Sequence, residues 1–294
     1  MKKEAMSFME WQRRFGKEEA CQAYLFKERW PQGFQCPACG HAHAHRLPSR
    51  GLYQCSGCHK QHSVISGTLF HSTKLPLVKW FWAIYWATAD KGGVSALRLS
   101  KVLEVSWPTA RLMLKKLRTA LGHRDRLYRL ADRIELDDAF VGGKRKGKRG
   151  RGAEGKKPVL VACESRGERA GFVAMEAVDS VNRESIRDFA KRQLNAGETG
   201  VTDGLAALKC LDENHRHLPQ NTPPEKAHEW LPWVHIVISN FKRFILGTFH
   251  GVSGKYLQEY LNEFCYRFNR RHCEPELPAR LLGVCATHLP VKFG

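Results

Sequence analysis

Cys36-Pro37-Ala38-Cys39 and Cys55-Ser56-Gly57-Cys58 restrict the fold of this chain more than any other feature. Each Cys-x-x-Cys makes a tight knuckle whose two thiolates converge on one ion. Two knuckles at this separation complete a tetrahedron with no open position for chemistry. The pattern predicts a structural zinc ribbon over residues 29–73, with Cys36, Cys39, Cys55 and Cys58 as ligands. Two disulfides or unpaired thiols are the competing reading, disfavoured in a reducing compartment. His41, His43, His45 and His59 are close enough in sequence to substitute, but the two Cys pairs already fill the site. Cys21, Cys163, Cys210, Cys265, Cys273 and Cys285 have no paired spacing and read as small packing residues.

A chain of 294 residues has room for two or three domains. Its 43% hydrophobic content is that of a globular protein, and no apolar stretch is long enough to span a bilayer. The first eleven residues, with Lys2, Lys3, Glu4 and Glu10, are too polar for a secretory signal, which places the chain in the cytoplasm. Forty-eight Lys and Arg against 29 Asp and Glu give a net charge of +19, which favours a polyanionic partner over a neutral metabolite.

Residues 1–28 read as an N-terminal helical segment, and residues 74–125 as a helical region with helix-turn-helix spacing. Between Pro76 and Asp90 the apolar and aromatic residues are too dense for a surface helix, which predicts a buried one. A short helix over 94–103, a turn at Glu104-Val105-Ser106 and a second helix from Trp107 to Leu121 follow. Ser106 is the expected N-cap, Pro108 lies in the first turn, and Gly122 is the expected stop. On the second helix Arg111, Lys115, Lys116 and Arg118 are assigned to an outer face suited to a DNA major groove. The glycine-rich run 142–157 carries Lys144, Arg145, Lys146, Lys148, Arg149 and Arg151, which suits salt-sensitive contact with phosphates.

Two apolar runs, Ile134-Glu135-Leu136-Asp137 and Gly200-Val201-Thr202-Asp203-Gly204, each place an aspartate on or just past a strand. Carboxylates on adjacent rigid strands can share divalent cations. Strands at 158–163 and 171–176 complete a three-stranded meander with the one around Asp137. A helix over 183–194, the strand ending near Asp203 and a helix through Leu211 come next. That order resembles the ribonuclease H-like fold, whose first and fourth strands lie adjacent and present an acid each. Glu135 shares the face of Asp137 and reads equally well as a solvated rim residue or as support for the site, while Asp138 turns to the opposite face.

The chain also resembles the bacterial insertion-sequence transposases of the DDE superfamily, in the group with an N-terminal zinc ribbon. The resemblance rests on the two Cys pairs and on the runs 66–77, 136–144, 201–204, 233–243, 246–253 and 263–271, which follow in order over nearly the whole chain. It implies a multidomain α/β architecture in which residues 130–294 form a ribonuclease H-like, mixed-sheet catalytic domain. It puts the first two catalytic ligands, for Mg²⁺ or Mn²⁺, on Asp137 and Asp203. The superfamily usually has glutamate as the third, followed two helical turns later by a basic residue, whereas this group tolerates histidine or asparagine. No glutamate lies between Leu231 and Gly247. His235 followed by Lys242 keeps the two-turn spacing; Asn240 is the alternative, its amide oxygen a better hard-cation ligand but Lys242 too close behind it. His250 is a further candidate for contact near the scissile phosphate.

The function implied is binding of terminal inverted repeats, hydrolysis of a phosphodiester and attack of the freed 3′-OH on target DNA. The implied partner is double-stranded DNA, with a homo-oligomer in the active complex because two ends must be paired. Two rivals stay open from the residues alone: a DNA-binding protein whose catalytic half is inactive, and a metal-dependent nuclease without strand transfer.

Overall fold

The computed structural model describes residues 5–142, 156–221, 223 and 226–291. Contacts divide the chain into two units, residues 1–120 with 273–294, and residues 121–272. No described helix is long and apolar enough to cross a membrane.

In the first unit, helices α1 (Phe8–Phe15) and α2 (Glu18–Arg29) precede a three-stranded antiparallel sheet of β1 (Ala44–Leu47), β2 (Leu52–Cys55) and β3 (Gln61–Ser63). Helix α3 (Leu77–Thr88) is the aromatic helix expected from the sequence, and its burial is extensive because it is enclosed on several sides. Phe81 meets Trp11, Phe15, Tyr24 and Phe70, all within 6.5 Å between ring centroids. Pro76 offers α3 no side-chain cap, and the Glu18 carboxylate supplies one, accepting the N–H groups of Leu77 and Val78 at 3.0 and 3.1 Å. The final helix, Leu277–Thr287, packs on α2 and α3, with Leu281, Leu282 and Cys285 fully buried. Residues 130–294 therefore do not form one body: the apolar face of the last helix belongs to the N-terminal unit.

Helices α4 (Ala96–Leu103) and α5 (Trp107–Asp125) are joined by a turn in which Glu104 takes a left-handed conformation. Ser106 caps α5 as expected, its hydroxyl accepting the Thr109 N–H at 3.3 Å. Gly122 does not stop this helix, which continues to Asp125. Its missing side chain serves a close approach instead. A Cβ at position 122 would lie 2.3 Å from the Asn262 amide. Gly122→Ala is thus expected to destabilise the chain by about 1–3 kcal/mol through overpacking. Adding Asn262→Ala should recover most of the lost Tm, because the clash is with that side chain.

The second unit is built on a five-stranded sheet of β4 (Arg133–Val141), β5 (Lys157–Ser165), β6 (Ala170–Ala177), β7 (Thr199–Asp203) and β8 (Arg216–Gln220), in the order β6-β5-β4-β7-β8. The first three form the expected antiparallel meander, and β7 and β8 are added parallel beyond β4. The first and fourth strands of this unit are neighbours, as in a ribonuclease H-like mixed sheet. Helix α6 (Arg183–Gln193) starts with a capping box between Asn182 and Ser185. A 3-10 helix, Ala206–Glu213, occupies the place of the expected second helix. The single turn α7 (Ala227–Trp230) leads into α8 (Pro232–Phe244), and α9 (Leu257–Asn269) completes the unit.

Strand alternation sorts the core into two layers. Ala139, Val141, Val159, Val161 and Cys163 meet Val234, Val237 and Phe241 of α8 and Leu261 and Phe264 of α9. Ile134, Leu136, Leu160 and Ala162 meet Ile186, Phe189 and Leu194 of the α6 segment. Each fully buried large apolar side chain contributes roughly 1.5–3 kcal/mol, so the sheet is fixed from both faces. Asp137, in the middle of β4, and Asp203, at the end of β7, are held on this rigid base.

The run 263–271, singled out in the sequence, has a structural use. Asn269 completes the edge of β6, accepting the Val173 N–H at 2.8 Å and donating to the Val173 carbonyl at 3.1 Å. Arg270 pairs with Asp125 at 2.6 Å. Burial pushes the Asp125 carboxyl above its usual range, and the Arg270 charge opposes that rise.

Candidate metal centres

The two Cys-x-x-Cys knuckles fold alike. Cys36 N–H and Cys55 N–H donate to the carbonyls of His41 and Lys60, and the carbonyls of Cys36 and Cys55 accept the N–H groups of Gly40 and His59. Gly40 and His59 both take positive φ, 76° and 58°. His59 therefore serves the turn that closes its knuckle.

The four sulfurs lie within 4.8 Å of one another, with Cys36 to Cys58 and Cys39 to Cys55 both at 3.6 Å. A tetrahedral zinc with sulfurs at about 2.3 Å requires sulfur separations of about 3.8 Å, so the donor set fits. The backbone N–H of Cys58 is the chief cause that pulls the Cys55 thiol down to about 7, with the N–H of Gly57 acting the same way against burial. Such N–H groups favour the thiolate a metal needs. His62 was not singled out in the sequence, yet its Nε2 lies 3.2 Å from the Cys36 sulfur. The β2–β3 pairing carries it there by setting His62 opposite Tyr53; no spacing rule would have found it.

The second centre lies in the other unit. Register pairs Leu136 with Thr202 on parallel strands, so Asp137 and Asp203, the next residue of each, emerge side by side. Asp137 Oδ1 accepts the N–H of Asp138, and Asp203 Oδ1 accepts that of Leu205 at 3.1 Å. His235, in the first turns of α8, brings Nδ1 to 3.5 Å from Asp137 Oδ2, with the two side chains 34% and 13% exposed. Asn240, the alternative, has its Oδ1 accepting a hydrogen bond from Arg243 at 2.7 Å. Lys242 is exposed two turns after His235, and His250 is exposed in a left-handed conformation.

Among the described residues, only the four cysteines bring three or more such ligand atoms within 4.8 Å of one another. Two carboxylates and an imidazole with a wider spread suit a pair of cations about 3.5–4 Å apart, where each ligand need touch only one ion. The donors, mostly oxygen with one nitrogen, fit Mg²⁺ or Mn²⁺.

Neighbours of these candidate ligands are themselves held by hydrogen bonds, and of these neighbours the sequence pointed only to Glu135, as either support for the site or a rim residue. Glu135 is 1% exposed, and its Oε2 accepts the N–H groups of both Trp233 and Val234 at 2.8 Å. Burial raises its carboxyl above the usual range, and those two hydrogen bonds oppose the rise. It is not a rim residue. Thr202, beside Asp203, shares a 2.8 Å hydrogen bond with Nε2 of buried His217 on β8, and its carbonyl accepts the Trp230 indole N–H at 3.0 Å.

The expected DNA face of α5 needs correction at one position. Arg118 is only 2% exposed, whereas Arg111, Lys115 and Lys116 are half-buried. Residue 118 follows Leu114 by four positions and so turns with it toward the inside. Lys116 lies over the Trp80 ring, 5.8 Å from its centroid. Lys144, Arg145, Lys146, Lys148, Arg149 and Arg151 lie outside the described residues; the paired residues that bound their segment are Val141 and Lys157.

Comparison with known proteins brings these two centres together. Residues 16–61, which hold all four cysteines, match the transposase zinc-ribbon domain, and residues 129–269, which hold Asp137, Asp203 and His235, match the ISXO2-like transposase domain. An uncharacterized protein in transposable element ISH50 of Halobacterium salinarum is 30% identical over 219 residues, 68% of this chain and 72% of that one. The solved Mos1 transposase paired-end complex with left transposon end is 14% identical, covering 66% of this chain and 75% of its own, with a TM-score of 0.27. With a zinc-ribbon match, a transposase-domain match and a transposable-element relative along most of its length, the chain belongs to the insertion-sequence transposases that join a zinc ribbon to an ISXO2-like transposase domain.

Proposed function

We propose that this transposase binds the terminal inverted repeats of its own element and catalyses metal-dependent cleavage and strand transfer at Asp137, Asp203 and His235. The observation that carries the reading is the emergence of the two aspartates side by side from parallel strands, with His235 Nδ1 3.5 Å from Asp137. Two Mg²⁺ or Mn²⁺ ions bound there would activate the water or 3′-OH, stabilise the leaving oxygen and neutralise charge on the pentacovalent phosphate. The chain's own part is to hold the ligands still and to bring DNA to them. Strand backbones fix both aspartates, and Lys242, exposed two turns after His235, is suited to a DNA phosphate beside the centre. The zinc ribbon, residues 74–125 through Arg111, Lys115 and Lys116, and the basic segment with Lys144 to Arg151 would contact the duplex, consistent with a net charge of +19. Two ends must be paired, so the active complex would be at least a homodimer on DNA in the cytoplasm.

The test incubates the chain with DNA carrying the terminal repeats of its element and either Mg²⁺ or Mn²⁺. Nicked 3′ ends and joined products are expected. Cleavage without joining would point to a nuclease, and retained end binding with neither reaction to a binding protein. The third ligand has its own test: His235→Ala should lower joining by about 10–100-fold, whereas His235→Glu should retain it, since carboxylate oxygen suits Mg²⁺ better than imidazole. Equal loss in both variants would contradict a ligand role for residue 235.

A further inference from the structure

Helix α8 begins without a cap of its own. Leu231 at its N-cap has an apolar side chain, and Pro232 at the first position has no N–H. The N–H groups of Trp233 and Val234 therefore have no acceptor within the helix, and buried backbone donors need one. Glu135 supplies it from β4, 98 and 99 residues away, with one carboxylate oxygen taking both bonds at 2.8 Å. The negative charge at a helix N-terminus adds to the same effect.

The placement links the clamp to the candidate ligands. Glu135 lies two residues before Asp137 on the same face of the same strand, and Val234 immediately precedes His235. Only a short stretch of β4 and one peptide of α8 thus separate the clamp from the pair whose atoms stand 3.5 Å apart. We propose that Glu135 is a positioning residue of the transposase centre, holding His235 against Asp137 through the first turn of α8. The inference rests on the ligand reading proposed above for Asp137 and His235. Glu135 itself is poorly placed to be a ligand, since it is 1% exposed and its Oε2 is engaged by two backbone donors. Glu18 provides an internal comparison: in the other unit it caps α3 from outside the helix, with one carboxylate oxygen for each of two N–H groups.

The experiment loads the full-length chain with Mn²⁺ alone and reads ¹⁴N coupling to the ion by electron spin echo modulation, with Mn²⁺ affinity measured in parallel. Wild type should show one imidazole coupling that His235→Ala abolishes. Glu135→Ala should keep Mn²⁺ on the aspartates at about tenfold lower affinity and lose most of that coupling. Glu135→Gln, whose amide oxygen can accept the same two bonds, should restore it. Glu18→Ala should lower Tm and leave the coupling unchanged. Full coupling in Glu135→Ala would overturn the inference while leaving the ligand reading intact. No coupling in wild type would overturn the ligand reading and the inference with it. Should Glu135→Ala not fold, Glu135→Gln decides: Mn²⁺ binding lost as fully as in Asp137→Ala would make Glu135 a ligand and refute the positioning role.

Discussion

Alanine at Asp137 or at Asp203 is expected to cut the yield of joined DNA by at least about a thousandfold, roughly 4 kcal/mol of transition-state stabilisation. Each substitution removes a carboxylate that would hold a cation, and neither removes core. The residues that anchor the two strands, Leu136 and Thr202, are fully buried beside them and stay in place. Tm should therefore move by only a few degrees, and binding to terminal-repeat DNA should persist within about threefold, because phosphate contacts made elsewhere dominate affinity. Gel analysis of joined products beside a binding assay separates these effects. Equal joining by Asp203→Ala would refute the assignment.

Loss of zinc should be the most damaging change to the N-terminal unit. The ribbon strands are three or four residues long and, apart from Cys55, half-buried or exposed, so little apolar burial holds them. Phe26, Trp30 and Phe34 pack around Tyr53, but that single aromatic cluster is small beside the roughly 10–16 kcal/mol that a structural zinc contributes. Cys55→Ser, or chelation of the wild type, is expected to abolish amide exchange protection over residues 36–63. Protection in β4, β5 and β7 should survive, because the second unit has its own core. Metal analysis should give one zinc per chain in wild type and none in the variant. A ribbon that stays protected without metal would contradict the structural role.

The legible parts of the sequence were those whose cause is local. Two Cys pairs at ribbon spacing, a meander with clear alternation and a Ser106 cap each depend on neighbours a few residues away, and each stands where expected. The adjacency of β4 and β7 followed from the order of elements. What escaped depends on partners distant in the chain. Gly122 reads as a helix stop, but the approach of Asn262 gives it another use and α5 continues past it. Arg118 looks like an outward charge until its helical angle is set by burial of Leu114 and Leu117. Strand β8, with Arg216, His217 and Pro219 in five residues, has no apolar pattern; pairing with β7 creates it. Glu135 is the clearest case, since a carboxylate on a strand face cannot announce a helix that begins nearly a hundred residues later.

The ligand set at the second centre is the central claim, and a diffraction measurement on Mn²⁺-soaked crystals at the manganese edge addresses it most directly. The expected result is anomalous density between Asp137 and Asp203, within about 2.1 Å of carboxylate oxygens, with the His235 imidazole coordinated and Asn240 still turned to Arg243. Manganese held by Asn240, or bound away from the two aspartates in a chain that still joins DNA, would contradict it.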